Sequence, residues 1–177
     1  MAELTQEEKD KIGPLITPFS RSNKKPESCI IKDGESDLEP FINHIHDAVK
    51  DEEPANVVHL KIEEVETLKA NNGRFEEKCY LWIIDDKSIK MLRERTRNVK
   101  RTHKPHCICH TNLTGGQPAR LGGEVFFCED GRVFLNPFSD RFGGRNITNE
   151  QWEAAKDYFK KVGYTSLIDI VELLLTT

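Results

Sequence analysis

Residues 123–138 read GEVFFCEDGRVFLNPF. Two short apolar stretches flank Asp130-Gly131, a dipeptide suited to a two-residue type I′ hairpin turn. That register places Glu129 opposite Arg132, Phe127 opposite Phe134 and Val125 opposite Asn136. Opposite charges beside the turn support it. Glu124, Phe126 and Cys128 would then share a face with Val133 and Leu135. Glu124 sits at the end of that apolar face, where a carboxylate is partly desolvated. An antiparallel hairpin of this kind sets the fold class once its neighbours are read.

Upstream, Cys79–Ile84 is a continuous apolar run bounded by charge, which suits a strand buried on both faces. Asp85–Ser88 reads as a turn and Ile89–Met91 resumes alternation. A second hairpin follows, with a helix as the alternative for 89–91. Residues 57–62 alternate weakly, as a strand would, and residues 62–70 then suit a helix. Thr5 with Glu8 makes a capping box for a helix over 5–12, closed by Gly13-Pro14. Residues 13–35 are rich in turn formers. Ser36 with Glu39 is a second capping box, and Leu38, Phe41, Ile42, Ile45 and Val49 lie on one helical face over 37–50.

Downstream, Thr148 with Gln151 makes a further capping box. Trp152, Ala155, Phe159 and Val162 continue the stripe, and Gly163 fits the residue after a helix end. The helix is expected over 149–162. Leu167, Ile170, Val171 and Leu174 suggest a last helix over 166–175. The sum is an α+β fold, a mostly antiparallel sheet of about five or six strands with helices packed on it. A chain of 177 residues suits a single domain, with a loop-rich segment over 1–35 and the core over 36–177.

Hydrophobic residues make up 37% and charged residues 32% of the chain. With nine Phe, two Trp and three Tyr, that is enough apolar material for a core, so a folded soluble protein is expected rather than a disordered one. No apolar run is long enough to cross a membrane. The opening MAELTQEEKDK has no apolar export segment, and the five cysteines are odd in number. A reducing cytoplasm is therefore the expected setting.

The net charge of −4 conceals a pattern. Residues 1–92 carry 20 acids and 13 bases, a net of −7. Residues 93–104 carry six bases and one acid, a net of +5. Residues 105–177 carry nine acids and seven bases, a net of −2. An acidic chain of this kind is not expected to bind nucleic acid. The basic run could meet a phosphate, an acidic protein partner or the acidic half of its own chain, or simply be solvated.

Seven of the eleven glycines fall between residues 115 and 144. Among them lie His110, Thr111, Asn112, Glu124, Asn136, Ser139 and Arg141. Glycine lets backbone approach a ligand and presents N–H groups to anions, and polar side chains beside such loops make a normal site. The competing reading is turns and bulges in a twisted sheet. His110 suits a base or hydrogen-bond donor near neutral pH, and Glu124 a general base or a ribose clamp. Arg141 suits a phosphate or carboxylate, or an internal pair with Glu124 or Asp140. Thr111, Asn112, Asn136 and Ser139 would orient substrate, or cap turns.

His103, His106, Cys107, Cys109 and His110 are ligand types suited to zinc, but C-x-C lacks the usual gap. On a strand over 106–110 the two cysteines would face away from His106 and His110. No metal and no cofactor is therefore assigned, and zinc remains an alternative. Phosphate-loop, dinucleotide, hydrolase-elbow, zinc-protease and deaminase motifs are absent.

His110-Thr-Asn-Leu113, Gly123-Glu-Val125, Asp130-Gly131, Asn136 and Ser139-Asp-Arg-Phe142 together resemble a pattern found in C-terminal domains of some secreted bacterial toxins and effectors. The resemblance covers residues 108–143 and departs at Asp140, where the pattern has Gly. It implies a toxin-like or effector domain, without an activity. Two functional classes are open at this level, beside the alternative of a zinc-binding protein. One is a small enzyme or enzyme-like effector with a glycine-rich site for a nucleotide-like or other anionic substrate, worked by His110, Glu124 and Arg141. The other is a non-enzymatic inhibitor, immunity or adaptor protein with an acidic or basic partner.

Overall fold

The computed structural model describes residues 3–18, 57–73, 75, 78–94, 96–98, 105–107, 110–139, 141–143 and 146–175. For residues 96–98 and 105–107 and for Asn112 it describes the backbone alone. The expected helix over 37–50 and its Ser36 capping box lie outside the described residues, as do 99–104 of the basic run.

The N-terminal helix α1 spans Gln6–Ile12. Thr5 Oγ1 accepts from Glu8 N at 3.2 Å, and Thr5 N donates to the Glu8 carboxylate at 2.7 Å, as the capping box requires. Arg120 closes the other end: its Nη1 donates to Gly13 O at 2.6 Å and its Nη2 to Asp86 at 2.7 Å. A cation on this carbonyl at the helix end also complements the helix dipole.

Strand β1 is His59–Leu60, helix α2 is Glu64–Ala70, and strands β2 and β3 are Tyr80–Ile84 and Ile89–Arg93. A two-stranded ribbon follows, β4 at Thr96–Asn98 and β5 at Pro105–Cys107. Helix α3 is His110–Thr114, strands β6 and β7 are Leu121–Cys128 and Val133–Asn136, and helix α4 is Asn149–Lys161. Strand β8 at Leu167–Asp169 leads into helix α5 at Ile170–Leu175.

The main sheet has the order β3-β2-β6-β7-β8, with β1 also paired to β6. Phe127 pairs with His59 on one side and Val133 on the other, so β1 continues the edge of β6 that β2 occupies. Among the described strands only β1–β6 and β7–β8 are parallel. The fold is α+β with a mostly antiparallel open sheet. All five residues of β2 are buried, as their uninterrupted apolar run demands.

The β6–β7 hairpin exists, but its register is one residue off the expected one. Phe127 pairs with Val133, Phe126 with Phe134, Val125 with Leu135 and Glu124 with Asn136. The turn is a three-residue loop, Glu129-Asp130-Gly131. Gly131 N donates to Cys128 O at 3.0 Å and Cys128 N to Arg132 O at 2.9 Å. Gly131 sits at φ 86, the left-handed position such a loop reserves for glycine. Arg132 pairs with Asp130 at 2.7 Å rather than with Glu129. Because side chains alternate, the shift exchanges partners across the faces. Glu124, Phe126 and Cys128 share a face with Phe134 and Asn136, not with Val133 and Leu135.

Three smaller expectations also move. The strand over 57–62 is only two residues long. Residues 166–175 begin with strand β8, whose Leu167 and Ile168 add an edge to β7, before the helix starts. The strand expected over 106–110 ends at Cys107, and His110 opens a helix instead.

One sheet face carries Tyr80, Trp82 and Phe127, and helix α4 packs on it. The ring of Trp82 stacks 6.3 Å from Trp152 and meets Phe159 edge-on at 5.0 Å. Tyr164 packs against Phe127 and Phe159. These are the aromatic contacts that fill an α/β interface with the fewest residues. Among the described residues no helix is long and apolar enough to cross a membrane.

Candidate functional site

The opposite sheet face holds the polar residues. Parity along the strands places Cys79, Glu94, Gly122, Glu124 and Asn136 on it together. The ring of His110 lies over Gly122: a Cβ there would stand 3.3 Å from His110 Cδ2 and from Ile83 Cγ2. His110 Nε2 is 2.8 Å from Gly123 O. A carbonyl oxygen only accepts, so Nε2 carries the proton, and a neutral ring then has its lone pair on Nδ1. His110, over Gly122, and Glu124, two residues further along β6, thus lie on one face.

Asn136 is fully buried and acts within the chain. Its Oδ1 accepts from Glu124 N at 3.1 Å and from Phe138 N at 2.9 Å. Its Nδ2 donates to Glu124 Oε2 at 3.1 Å. It therefore ends β7 and orients the half-buried Glu124 carboxylate.

Beyond Asn136 the chain leaves β6 and returns at Phe142, whose carbonyl accepts from Gly122 N at 3.2 Å. Ser139 shapes that detour, its Oγ accepting from Arg141 N at 3.2 Å and from Phe142 N at 3.1 Å. Arg141 is buried at the point of return, beside the Gly122 segment. Thr111 is buried in α3, where its carbonyl receives Gly116 N and the Thr114 hydroxyl. Asn112 lies on the same helix, with its side chain outside the described residues. His110 lies over Gly122 and Asn136 is bonded to Glu124, while Ser139 and Arg141 lie on the detour that rejoins β6 through the Phe142–Gly122 bond.

Gly123 has a packing duty. A Cβ there would run into the Asn136 carbonyl and stand 2.7 Å from Trp82 Cζ2. Its absence lets the Trp82 indole N–H reach Glu124 O at 3.1 Å and Asn136 O at 3.2 Å. Gly131 serves the hairpin turn. Two of the glycine positions expected to cradle a ligand are thus fully used by backbone approach and turn geometry.

The residues that sequence reading missed are Cys79 and Glu94. Their ligand atoms and that of Glu124 all lie within 4.8 Å of one another. Glu94 N donates to Cys79 O at 2.8 Å, which extends the β2–β3 register by one pair. The signal was present. Once Asp85–Ser88 is a turn, Ile84 faces Ile89, and counting back puts Cys79 opposite Glu94. His103 and Cys109 of the histidine–cysteine segment lie outside the described residues.

A separate cavity of about 160 Å³ lies at the other end of β6, lined by Val57, His59, Phe127, Arg132, Tyr164 and Ser166 among others. It is smaller than the roughly 300–1,000 Å³ that holds a drug-sized ligand. No protein-family model, no curated protein and no solved structure matches this chain.

Proposed function

We propose that the chain is a small enzyme-like domain that works on an anionic, nucleotide-like substrate at the polar face around Gly122–Glu124. The observation that carries the reading is the ring of His110 lying over Gly122 on the face that also carries Glu124, with His110 Nε2 2.8 Å from Gly123 O. In this reading Nδ1 of His110 is the base, and Glu124, braced by Asn136, is a second carboxylate for proton transfer or hydroxyl binding. Arg141, one residue from the Phe142–Gly122 backbone bond, supplies the positive charge that an anion requires.

The test uses the full chain and a panel of nucleoside phosphates and dinucleotides. Binding is measured by calorimetry and turnover by chromatography, on wild type, His110→Gln, Glu124→Gln and Arg141→Lys. Gln at 110 can still donate to Gly123 O but is not a base. Wild type is expected to bind at least one class of the panel. Arg141→Lys should weaken binding about tenfold or more, the worth of a lost charged hydrogen bond. His110→Gln should lose turnover with its melting temperature unchanged. Folded wild type that binds no member of the panel, or a His110→Gln variant with full turnover, would refute the reading.

A further inference from the structure

We propose that Cys79, Glu94 and Glu124 form a binding site for a zinc-like divalent cation. The site shares Glu124 with the substrate reading, as a cation ligand in place of a proton carrier, but calls on neither His110 nor Arg141. Its donors come from the ends of β2 and β3 and from the middle of β6, three adjacent strands. Cys79 and Glu94 face each other across one ladder. Glu124 stands opposite Leu81 in the next, one diagonal step from Cys79. The Cα positions are therefore set by sheet hydrogen bonds rather than by a loop, which is how a ligand site is held in place before the ligand arrives.

The donor atoms lie within 4.8 Å of one another. A tetrahedral zinc, with Zn–S near 2.3 Å and Zn–O near 2.0–2.2 Å, sets neighbouring donors about 3.3–3.6 Å apart. Small rotations of two glutamate side chains close that difference. The donor chemistry selects the metal. A thiolate with two carboxylates suits zinc and its neighbours in the first transition row, not magnesium or calcium, which take oxygen alone.

The surroundings fit as well. The Cys79 thiol is buried, while both glutamates are half-buried, so the site is dry on the sulfur side and reachable from the carboxylate side. Asn136 donates to Glu124 Oε2, the kind of outer partner that orients a metal-binding carboxylate. Three protein donors leave a fourth position for water or a substrate oxygen, the arrangement of catalytic rather than structural zinc.

The experiment needs no substrate, so its result is independent of the nucleotide panel. Chelator-treated full chain is titrated with Zn²⁺ by calorimetry and with Co²⁺ by absorption, where a near-ultraviolet charge-transfer band reports a thiolate ligand. One equivalent is expected to bind, with the band present. Cys79→Ser should abolish the band. Glu94→Gln, a half-exposed and isosteric change that should leave the fold intact by circular dichroism, should weaken Zn²⁺ binding about tenfold or more. The double variant Cys107→Ser/Cys109→Ser should keep both the band and the affinity. Folded wild type without a cobalt band overturns the proposal. So does a band that survives Cys79→Ser and vanishes in the double variant, or an affinity that Glu94→Gln leaves unchanged.

Discussion

Asn136 shows how a single side chain can hold a strand end and a neighbouring acid at once. An amide in an apolar strand is costly to bury unless every polar atom is partnered. Here Oδ1 accepts from two backbone N–H groups and Nδ2 donates to the Glu124 carboxylate. Asn136→Ala should therefore cost about 2–4 kcal/mol, since it leaves donors without acceptors as well as losing the bonds. Urea denaturation measures this, and a loss below about 0.5 kcal/mol would show that the strand ends there for another reason. Asn136 was legible as a residue beside the site. Its partner was not, because a one-residue change of register decides whether it faces Glu124 or Val125.

Among the elements, the β2–β3 hairpin is governed by Asp85. Its Oδ1 accepts from Lys87 N at 2.7 Å and Ser88 N at 2.8 Å, and its Oδ2 pairs with Lys90 at 2.8 Å. Burial pushes against the charge, but the bonds from Lys90, Ser88 and Lys87 outweigh it and hold the carboxyl below the usual aspartate range. A pKa lowered by folding stabilises the protein above the unfolded value, near 3.9, and that stability is lost as pH falls through the lower folded value. Acidification below about pH 4 should thus destabilise wild type more steeply than Asp85→Asn. The difference between the two should shrink as pH falls. Urea denaturation from about pH 7 to about pH 2 checks this, and a constant difference would remove the linkage. The same turn sets Cys79 against Glu94. The β6–β7 turn was readable as a hairpin too, yet Asp130-Gly131 serves a two-residue loop and the last two positions of a three-residue loop equally well. The choice between them lies in packing, with Glu129 turned to accept from Ile62 N at 3.3 Å.

Across the whole molecule, α4, β8 and α5 are joined through Asp169. Its Oδ2 receives Trp152 Nε1 at 2.6 Å and Lys156 Nζ at 3.0 Å, and its Oδ1 receives Val171 N at 2.9 Å. Burial opposes the Lys156 charge, but hydrogen bonds to Glu153 and Asp169 outweigh it and raise its pKa. Asp169→Ala should cost roughly 2–4 kcal/mol, because it leaves the buried indole N–H and the Val171 N–H without acceptors, while Lys156 keeps Glu153 at 2.7 Å. Asp169→Asn, whose single amide oxygen can still accept from Trp152 or from Val171, should cost less. Thermal unfolding separates the two, and equal losses would mean that the retained acceptor contributes nothing and the charge accounts for the whole effect. No local pattern announces this cluster, since its members lie 13 and 17 residues apart and are brought together by β8 joining the sheet.

The sequence by itself determined what depends on near neighbours. The capping boxes at Thr5 and Thr148 placed two helices, the run 79–84 placed a buried strand, and alternation around Asp130-Gly131 placed a hairpin. Each rests on contacts a few residues apart, which composition and period specify directly. Only the tertiary structure decided register and strand order, and with them the company of each polar side chain. Backbone ladders bond equally well one residue either way, so the choice falls to packing across the sheet. Trp82 fills the space over Gly123, the three-residue loop ends on Gly131, and Glu124 is turned toward Asn136, Cys79 and Glu94.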